Sequence, residues 1–349
     1  MIRAGIVGCG FIANVHSWGL WAVRKAGHAD VRVTAVCDEQ TEKAVALAQP
    51  HRAEVLGFGE LLDSVDVVYV CTPTATHLAL VEAAADRGLA IFCEKPLAPD
   101  LATAERVAAA LDRVPHQVGL VLRSAPVFAA LKDAIDSGRY GAPMVASLRD
   151  DQFFPIQGQY ASTWRADRAM AGGGTLIEHS IHDIDLFRML LGDPTSVSCR
   201  TANRFGYEGI EDLAVASFGF SGGYPDGGVA SLVSVWHQVM SRPSTRRLEV
   251  FCEEAMLWTE DDNTGPLWVQ TSSSTEVIES DPPPWVDELP VPEEVRRPLG
   301  LYAEASRRFL ACVSAGSAGS PGWEEALEAH RLVDAAYASA STDGAPVVR

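Results

Sequence analysis

Through the first 124 residues, apolar runs rich in Val, Ile and Ala alternate with Ala-rich stretches of helical character. The runs RAGIVGC, VRVTAVCD, VDVVYVCTP, LAIFCEKP and HQVGLVLR lack the polar alternation of a half-exposed strand. Each predicts a strand buried on both faces of a parallel sheet. Residues 41–48, 77–87 and 101–111 predict the helices between them. This βα rhythm stops at 124, where a helix over 127–137 and a strand over 143–151 open a second pattern.

The later segments EDLAVASFGF, VASLVSVWHQV, RRLEVFCE, AMLWTE and PLWVQT alternate in polarity or carry aromatic residues, which predicts a largely antiparallel sheet. Glycine pairs at Gly222 and Gly227 and acidic groups at Glu253 and Asp261 mark turns. DPPPWVDELPVPEE predicts a loop laid over a surface with Trp285 as its anchor, followed by amphipathic helices over 302–313 and 323–340. The pattern is α/β in two domains, 1–124 and 125–349, with no internal repeat.

Composition narrows the function. At 349 residues and 47% hydrophobic content the chain can bury a sizeable core, and a formal charge of -18 leaves no basic patch for a nucleic acid or an anionic membrane. No apolar stretch approaches the ~20 residues that span a bilayer. MIRAGIVGCGFIA reads as a strand and turn rather than a secretion leader, so a cytoplasmic protein is expected. The seven cysteines form no Cys-x-x-Cys pair, which argues against a disulfide framework and a thiolate zinc site. Cys9, Cys37, Cys71 and Cys93, near predicted strand ends, read as small buried apolar residues.

Gly8-Cys9-Gly10-Phe11-Ile12-Ala13 follows an apolar strand and opens a helix, the context that gives a Gly-x-Gly-x-x-Ala pattern its meaning as a dinucleotide fingerprint. Gly8 allows the tight turn, Gly10 lets backbone approach a pyrophosphate, and Ala13 permits close helix packing. Phe11 and Ile12 complete the loop, and the helix N-terminus offers N–H groups to phosphate. Asp38 ends the next strand, where a carboxylate accepts hydrogen bonds from a ribose diol and repels a 2'-phosphate. Neither Glu39 nor Gln40 compensates, so NAD is favoured over NADP.

LAIFCEKP ends in Glu94, Lys95 and Pro96 at the carboxyl edge of the predicted sheet. Lys95 there is either placed for chemistry or is a surface lysine. With the fingerprint, CTPTATH at 71–77, CEKPLA at 93–98, GGGTLIEHSIHDID at 172–185 and VDAAYASASTDGAPV near the end, the chain resembles the Gfo/Idh/MocA oxidoreductase family along essentially its whole length. The resemblance implies an N-terminal Rossmann NAD-binding domain and a C-terminal α/β domain. The latter carries a large, mainly antiparallel open sheet that serves as substrate domain and joins a homodimer or homotetramer. It implies that Lys95 and His182 are active-site residues, that the Lys95-Pro96 peptide is cis, and that Thr72, Pro73 and His77 lie in a second cofactor-contacting loop, with Glu94 and Lys95 also contacting the cofactor. His16 falls where a histidine often follows the glycine loop; a helix-surface histidine is the alternative.

In GGGTLIEHSIHDID, Thr175 is the expected N-cap of a helix on which Glu178, His182 and Asp185 share one face, a spacing suited to a histidine held by a carboxylate. A metal site is disfavoured, since His179 and His182 are not four apart and no cysteine pair helps. Members of the family usually carry Asp where this chain has Glu178, which alters the reach of that carboxylate. Arg123, Tyr160, Trp164, Arg165 and His179 are the expected substrate-facing residues, with His237 a weaker candidate.

These residues point to hydride transfer between NAD and a secondary alcohol of a sugar, polyol or related cyclic compound. In that scheme His182 takes the hydroxyl proton, Lys95 stabilises the oxygen and Glu178 assists. The sequence leaves either Lys95 or His182 as the immediate base. Two alternatives remain, a glycosidase that oxidises its sugar only transiently and an NAD-binding sugar sensor.

Overall fold

Five of the β-branched runs pair as expected in a computed structural model that describes residues 1–158, 160–221, 227–260 and 262–349. In chain order the first stretch contains β1 (Ile2–Val7), α1 (Phe11–Lys25), β2 (Val31–Cys37), α2 (Thr41–His51), β3 (Glu54–Val55), α3 (Phe58–Ser64), β4 (Val67–Val70), α4 (His77–Ala85), β5 (Ala90–Cys93), α5 (Leu101–Leu111) and β6 (His116–Val118). All six strands are parallel, in the order β3-β2-β1-β4-β5-β6. The order reverses between β1 and β4, and ligands of such sheets bind outside the carboxyl ends at that switch point.

The second stretch adds α6 (Pro126–Asp136), β7 (Pro143–Phe153), α7 (Arg168–Ala171), α8 (Thr175–Glu178), α9 (Ile181–Leu191), β8 (Ser196–Ala202), β9 (Leu213–Gly219), β10 (Val229–His237), β11 (Thr245–Cys252), β12 (Ala255–Thr259), β13 (Leu267–Thr271) and β14 (Thr275–Ile278). After it come α10 (Pro284–Asp287), α11 (Glu293–Ala315), α12 (Trp323–Ser341) and β15 (Val347–Val348). Nine strands form a sheet in the order β14-β13-β12-β11-β7-β10-β9-β8-β15. Neighbours are antiparallel except β7 and β10, so the sheet is mixed and mainly antiparallel, as expected.

Two compact units result: Met1–Ser124 with Pro282–Glu328, and Ala125–Asp281 with Ala329–Arg349. The second domain expected from sequence ran unbroken over 125–349; the structure instead returns 282–328 to the first unit. There α11 lies along α1, burying Leu299, Phe309 and Leu310 in one core with Leu20, Tyr69 and Phe92. Leu61, Val68, Ile91, Val107 and Leu111 fill the other side of the parallel sheet. The Pro-rich stretch contains the short helix α10, and Trp285 meets the His28 ring edge-on at 4.7 Å. In the second unit Phe187 of α9 packs against Phe218 of β9.

The strand expected over HQVGLVLR stops at Val118, and a 3-10 turn, Val121–Ser124, replaces its second half. The turns expected at Gly222 and Asp261 lie outside the described residues. Among the described residues no helix is long and apolar enough to cross a membrane.

Candidate active site

The cofactor residues named from sequence cluster at the carboxyl ends of β1, β2, β4 and β5. Gly8 has φ +84, and a Cβ there would lie 2.7 Å from the Cys71 carbonyl oxygen, so a side chain is excluded on two grounds. Gly10 is the N-cap of α1, no side chain caps that end, and a Cβ on Gly10 would meet nothing within 4 Å. A helix start that is uncapped and open on its approach side fits a pyrophosphate. Ala13 is fully buried against the sheet, Ile12 is half-buried and Phe11 exposed. Asp38 Oδ2 accepts the Cys9 N–H at 2.6 Å and Oδ1 accepts the Gln40 N–H at 2.7 Å, so the carboxylate braces the glycine loop as well as ending β2. Burial, then Asp38, pushes the Cys9 thiol up to about 12, which makes it a packing group.

Thr72 and Pro73 are half-buried beside the short 3-10 turn Thr74–Thr76, where Thr76 donates to Thr72 Oγ1 at 2.7 Å. His77 is wholly buried, with Nδ1 3.0 Å from the Pro96 carbonyl and Nε2 3.0 Å from the Thr72 carbonyl. These contacts tie the Thr72 loop to the turn after β5. The Lys95-Pro96 peptide is cis, as the resemblance implied. Lys95 is half-buried, whereas the Glu94 side chain turns inward. Glu94 Oε1 lies 2.7 Å from His16 Nε2, and Oε2 accepts the Lys95 backbone N–H at 3.3 Å. His16 is therefore a core residue, not the surface histidine that the sequence also allowed. Arg123 sits in the turn after β6, with Nη1 3.9 Å from Glu325 Oε1.

In the second unit the motif folds around Glu211, a residue sequence reasoning missed. Its Oε2 accepts the Gly174 N–H at 2.7 Å, and its Oε1 accepts the Leu176 N–H at 2.9 Å and the Tyr337 hydroxyl at 2.9 Å. Burial raises this carboxyl, and the two N–H groups oppose the shift. The start of α8 is thus capped from afar: Gly174, not Thr175, is the N-cap, and Thr175 Oγ1 pairs with Ser234 Oγ at 2.7 Å. A Cβ on Gly174 would fall 1.8 Å from the Glu211 carbonyl oxygen.

The single helical face expected for Glu178, His182 and Asp185 does not form. Backbone leaves the helix at His179 and Ser180, so Glu178 closes α8 while His182 and Asp185 belong to α9. All three are buried. Arg165 Nε donates to Glu178 Oε2 at 3.0 Å, and the Arg165 guanidinium lies over the Trp164 ring at 4.4 Å. These three predicted residues form one unit. Tyr160 stacks on Phe153, and His237 Nε2 is 3.7 Å from Asp151.

His179, a candidate substrate-facing residue, is partly buried at the edge of a charge cluster. Arg246 Nη2 donates to His179 Nε2 at 2.9 Å, which leaves the ring proton on Nδ1, 3.0 Å from Asp150 Oδ2. Arg246 also reaches Asp183 at 2.8 Å, Asp262 at 2.8 Å and Asp150 at 3.4 Å. Burial raises Asp150 well above the ordinary carboxylate range. Arg246 pulls against this, and Asp183 adds to it. The only sequence signal for this cluster was charge at strand positions, in SLRDD and RRLEV. Among the described residues no cluster of three or more His, Cys, Asp or Glu is arranged to hold a metal.

A parallel sheet with an open glycine loop and a braced acid defines an NAD-binding oxidoreductase domain, and comparison with known proteins agrees. Residues 2–120 match the oxidoreductase family with NAD-binding Rossmann fold, and residues 128–258 match the GFO/IDH/MocA C-terminal domain. The chain is 31% identical to inositol 2-dehydrogenase of Rhizobium meliloti (strain 1021), over 97% of its own length and 96% of the relative's. It is 27% identical to D-apiose dehydrogenase of Paraburkholderia graminis, over 97% of its length and 87% of that protein's. The structure of levoglucosan dehydrogenase with NADH and levoglucosan shares the fold, with a TM-score of 0.88, 21% identity and 99% coverage of each chain. The chain belongs to the Gfo/Idh/MocA oxidoreductase family.

Proposed function

We propose that the protein is an NAD-dependent dehydrogenase interconverting a secondary alcohol and a ketone on a polyol of the inositol type or on a sugar derivative. The observation that carries this is the end-to-end likeness to an inositol 2-dehydrogenase, spanning both the glycine loop and the Glu178–Asp185 segment. Gly8, Gly10 and the first turn of α1 would hold the pyrophosphate, with Phe11, Ile12 and Ala13 shaping the loop. Asp38 would hold the adenosine ribose, and Thr72 and Pro73 would border the nicotinamide half. Bound NAD supplies the hydride acceptor.

The protein's own side chains handle the proton. Lys95 hydrogen-bonds the substrate oxygen and stabilises negative charge developing on it, while His182 accepts the hydroxyl proton. Glu178, paired with Arg165, acts as an acceptor that orients the substrate hydroxyl. Arg123, Tyr160, Trp164 and Arg165 are the specificity residues in this reading.

The sheet of the second unit supports a homodimer or homotetramer. Val145, Val229 and Phe251 are cross-strand neighbours on its exposed side, as are Val215 and Val233. All seven cysteines are free thiols, which supports a reducing, cytoplasmic setting.

The test is cofactor reduction with NAD and NADP against inositols, free sugars, sugar acids and glycosides. Turnover with NAD that disappears in Lys95→Met is expected. NADH binding without reduction on any compound would overturn the reading in favour of a sensor or a transiently oxidising glycosidase.

A further inference from the structure

His16 takes no part in the chemistry above, yet it contacts the residue next to Lys95. It lies on the second turn of α1, wholly buried, with its ring centroid 4.7 Å from Phe92, 5.4 Å from Tyr69 and 5.5 Å from Tyr302. Its Nδ1 is buried with no hydrogen-bond partner among the described residues. A proton there would be an orphaned donor inside an aromatic box, whereas a bare lone pair is tolerated more readily. The ring proton is therefore assigned to Nε2, which donates to Glu94 Oε1 at 2.7 Å.

Glu94 is held on three sides. His16 fixes one oxygen and the Lys95 backbone N–H meets the other at 3.3 Å. Gly119 closes the third side: a Cβ there would lie 2.6–2.9 Å from the carboxylate atoms, so any other residue would force the carboxylate to shift. The carboxylate is a wedge beneath the turn that presents Lys95 from the end of β5.

We propose that His16 is a positioning residue: by donating to Glu94 it fixes the carboxylate under the Lys95 backbone and so aims the Lys95 side chain. The inference rests on the reading of Lys95 as the group that meets the substrate oxygen, but it has an independent readout. Lysine occurs at only four positions, 25, 43, 95 and 132. Reductive methylation of the full chain with carbon-13 formaldehyde therefore yields few side-chain signals, and Lys95→Arg assigns the one from Lys95.

In His16→Leu the Lys95 signal should move while the other three stay. ADP-ribose affinity should remain within about twofold, because that ligand would be held by the glycine loop and Asp38 and lacks the nicotinamide. In His16→Gln, whose amide nitrogen can donate from near the position of Nε2, the Lys95 signal should return to its place. Where the wild type turns over myo-inositol with NAD, kcat should fall about 10–100-fold in His16→Leu and recover in His16→Gln. Should His16→Leu not fold, Gly119→Ala displaces Glu94 with His16 intact and should move the same signal. An unmoved Lys95 signal in a folded His16→Leu or Gly119→Ala protein would overturn the proposal, as would equal kcat losses in the Leu and Gln variants. Absence of wild-type turnover would count against the dehydrogenase reading alone, since the Lys95 signal reports positioning without substrate.

Discussion

Asp38 and Cys9 are joined across the mouth of the parallel sheet: the carboxylate that ends β2 accepts the N–H at the centre of the glycine loop at 2.6 Å. One side chain therefore both shapes the phosphate loop and, with lone pairs left on each oxygen, can hold a ribose diol. Asp38→Ala should weaken NADH binding at least about tenfold, since it removes a charge-assisted brace as well as the ribose acceptor. It should also shift the NADPH to NADH affinity ratio toward NADPH. Fluorescence titration with both cofactors checks this, and an unchanged NADH affinity would contradict it.

Glu211 secures the α8 segment from 37 residues away in sequence, through the Gly174 N–H. Glu211→Leu should lower kcat by about tenfold or more by loosening α8 and the Glu178 it carries, with NADH affinity within about twofold of wild type. Gly174→Ala should be worse, costing more than about 4 kcal/mol, because its Cβ would overlap the Glu211 backbone rather than a movable side-chain end. Denaturant unfolding of both variants, with cofactor titration of whichever folds, tests the pair.

Arg246 compensates several buried carboxylates at once. Arg246→Met should destabilise the fold by about 3–5 kcal/mol, the range for stripping one partner from a buried ion cluster. A loss below about 1 kcal/mol in chemical unfolding would mean the cluster is not the buried charge network described above.

Asp150 in the same cluster gives a pH signature. Burial, only partly opposed by Arg246, holds its carboxyl well above the ordinary value of 3.8. Above that pH the native protein binds more protons here than the unfolded chain does, so the group's contribution to stability falls as pH rises toward the native value. The stability of Asp150→Asn relative to wild type should therefore increase as pH is raised from about 4. Unfolding curves at several pH values follow that difference, and a flat or opposite trend would contradict the raised value.

What could be read from sequence, and what could not, follows from the range of the interactions. Strands buried on both faces show as unbroken apolar runs, and the glycine loop, Asp38 and Glu94-Lys95-Pro96 sit at the ends of such runs, so local order was enough to bring these residues to one edge of the parallel sheet. Leu101–Leu111 forms over the residues predicted, and its N-terminus is capped locally by Asp100. The return of α11 to the first unit was hidden, since an amphipathic stripe does not say which core it faces. The break at His179 and Ser180 and the true cap of α8 were hidden because both involve partners brought in by other segments, Arg246 from β11 and Glu211 from the turn before β9.

Transfer of hydrogen from substrate carbon to NAD is the central claim, and deuterium tests it directly. The enzyme would be incubated with NAD and carbon-deuterated myo-inositol, or with the deuterated form of whichever compound in the panel turns over, and the cofactor analysed by mass spectrometry. The account predicts reduced cofactor that gains one deuterium and accumulates in step with ketone, and none in Lys95→Met. Cofactor that stays oxidised while the compound is cleaved, or that binds without any exchange of deuterium, would contradict it.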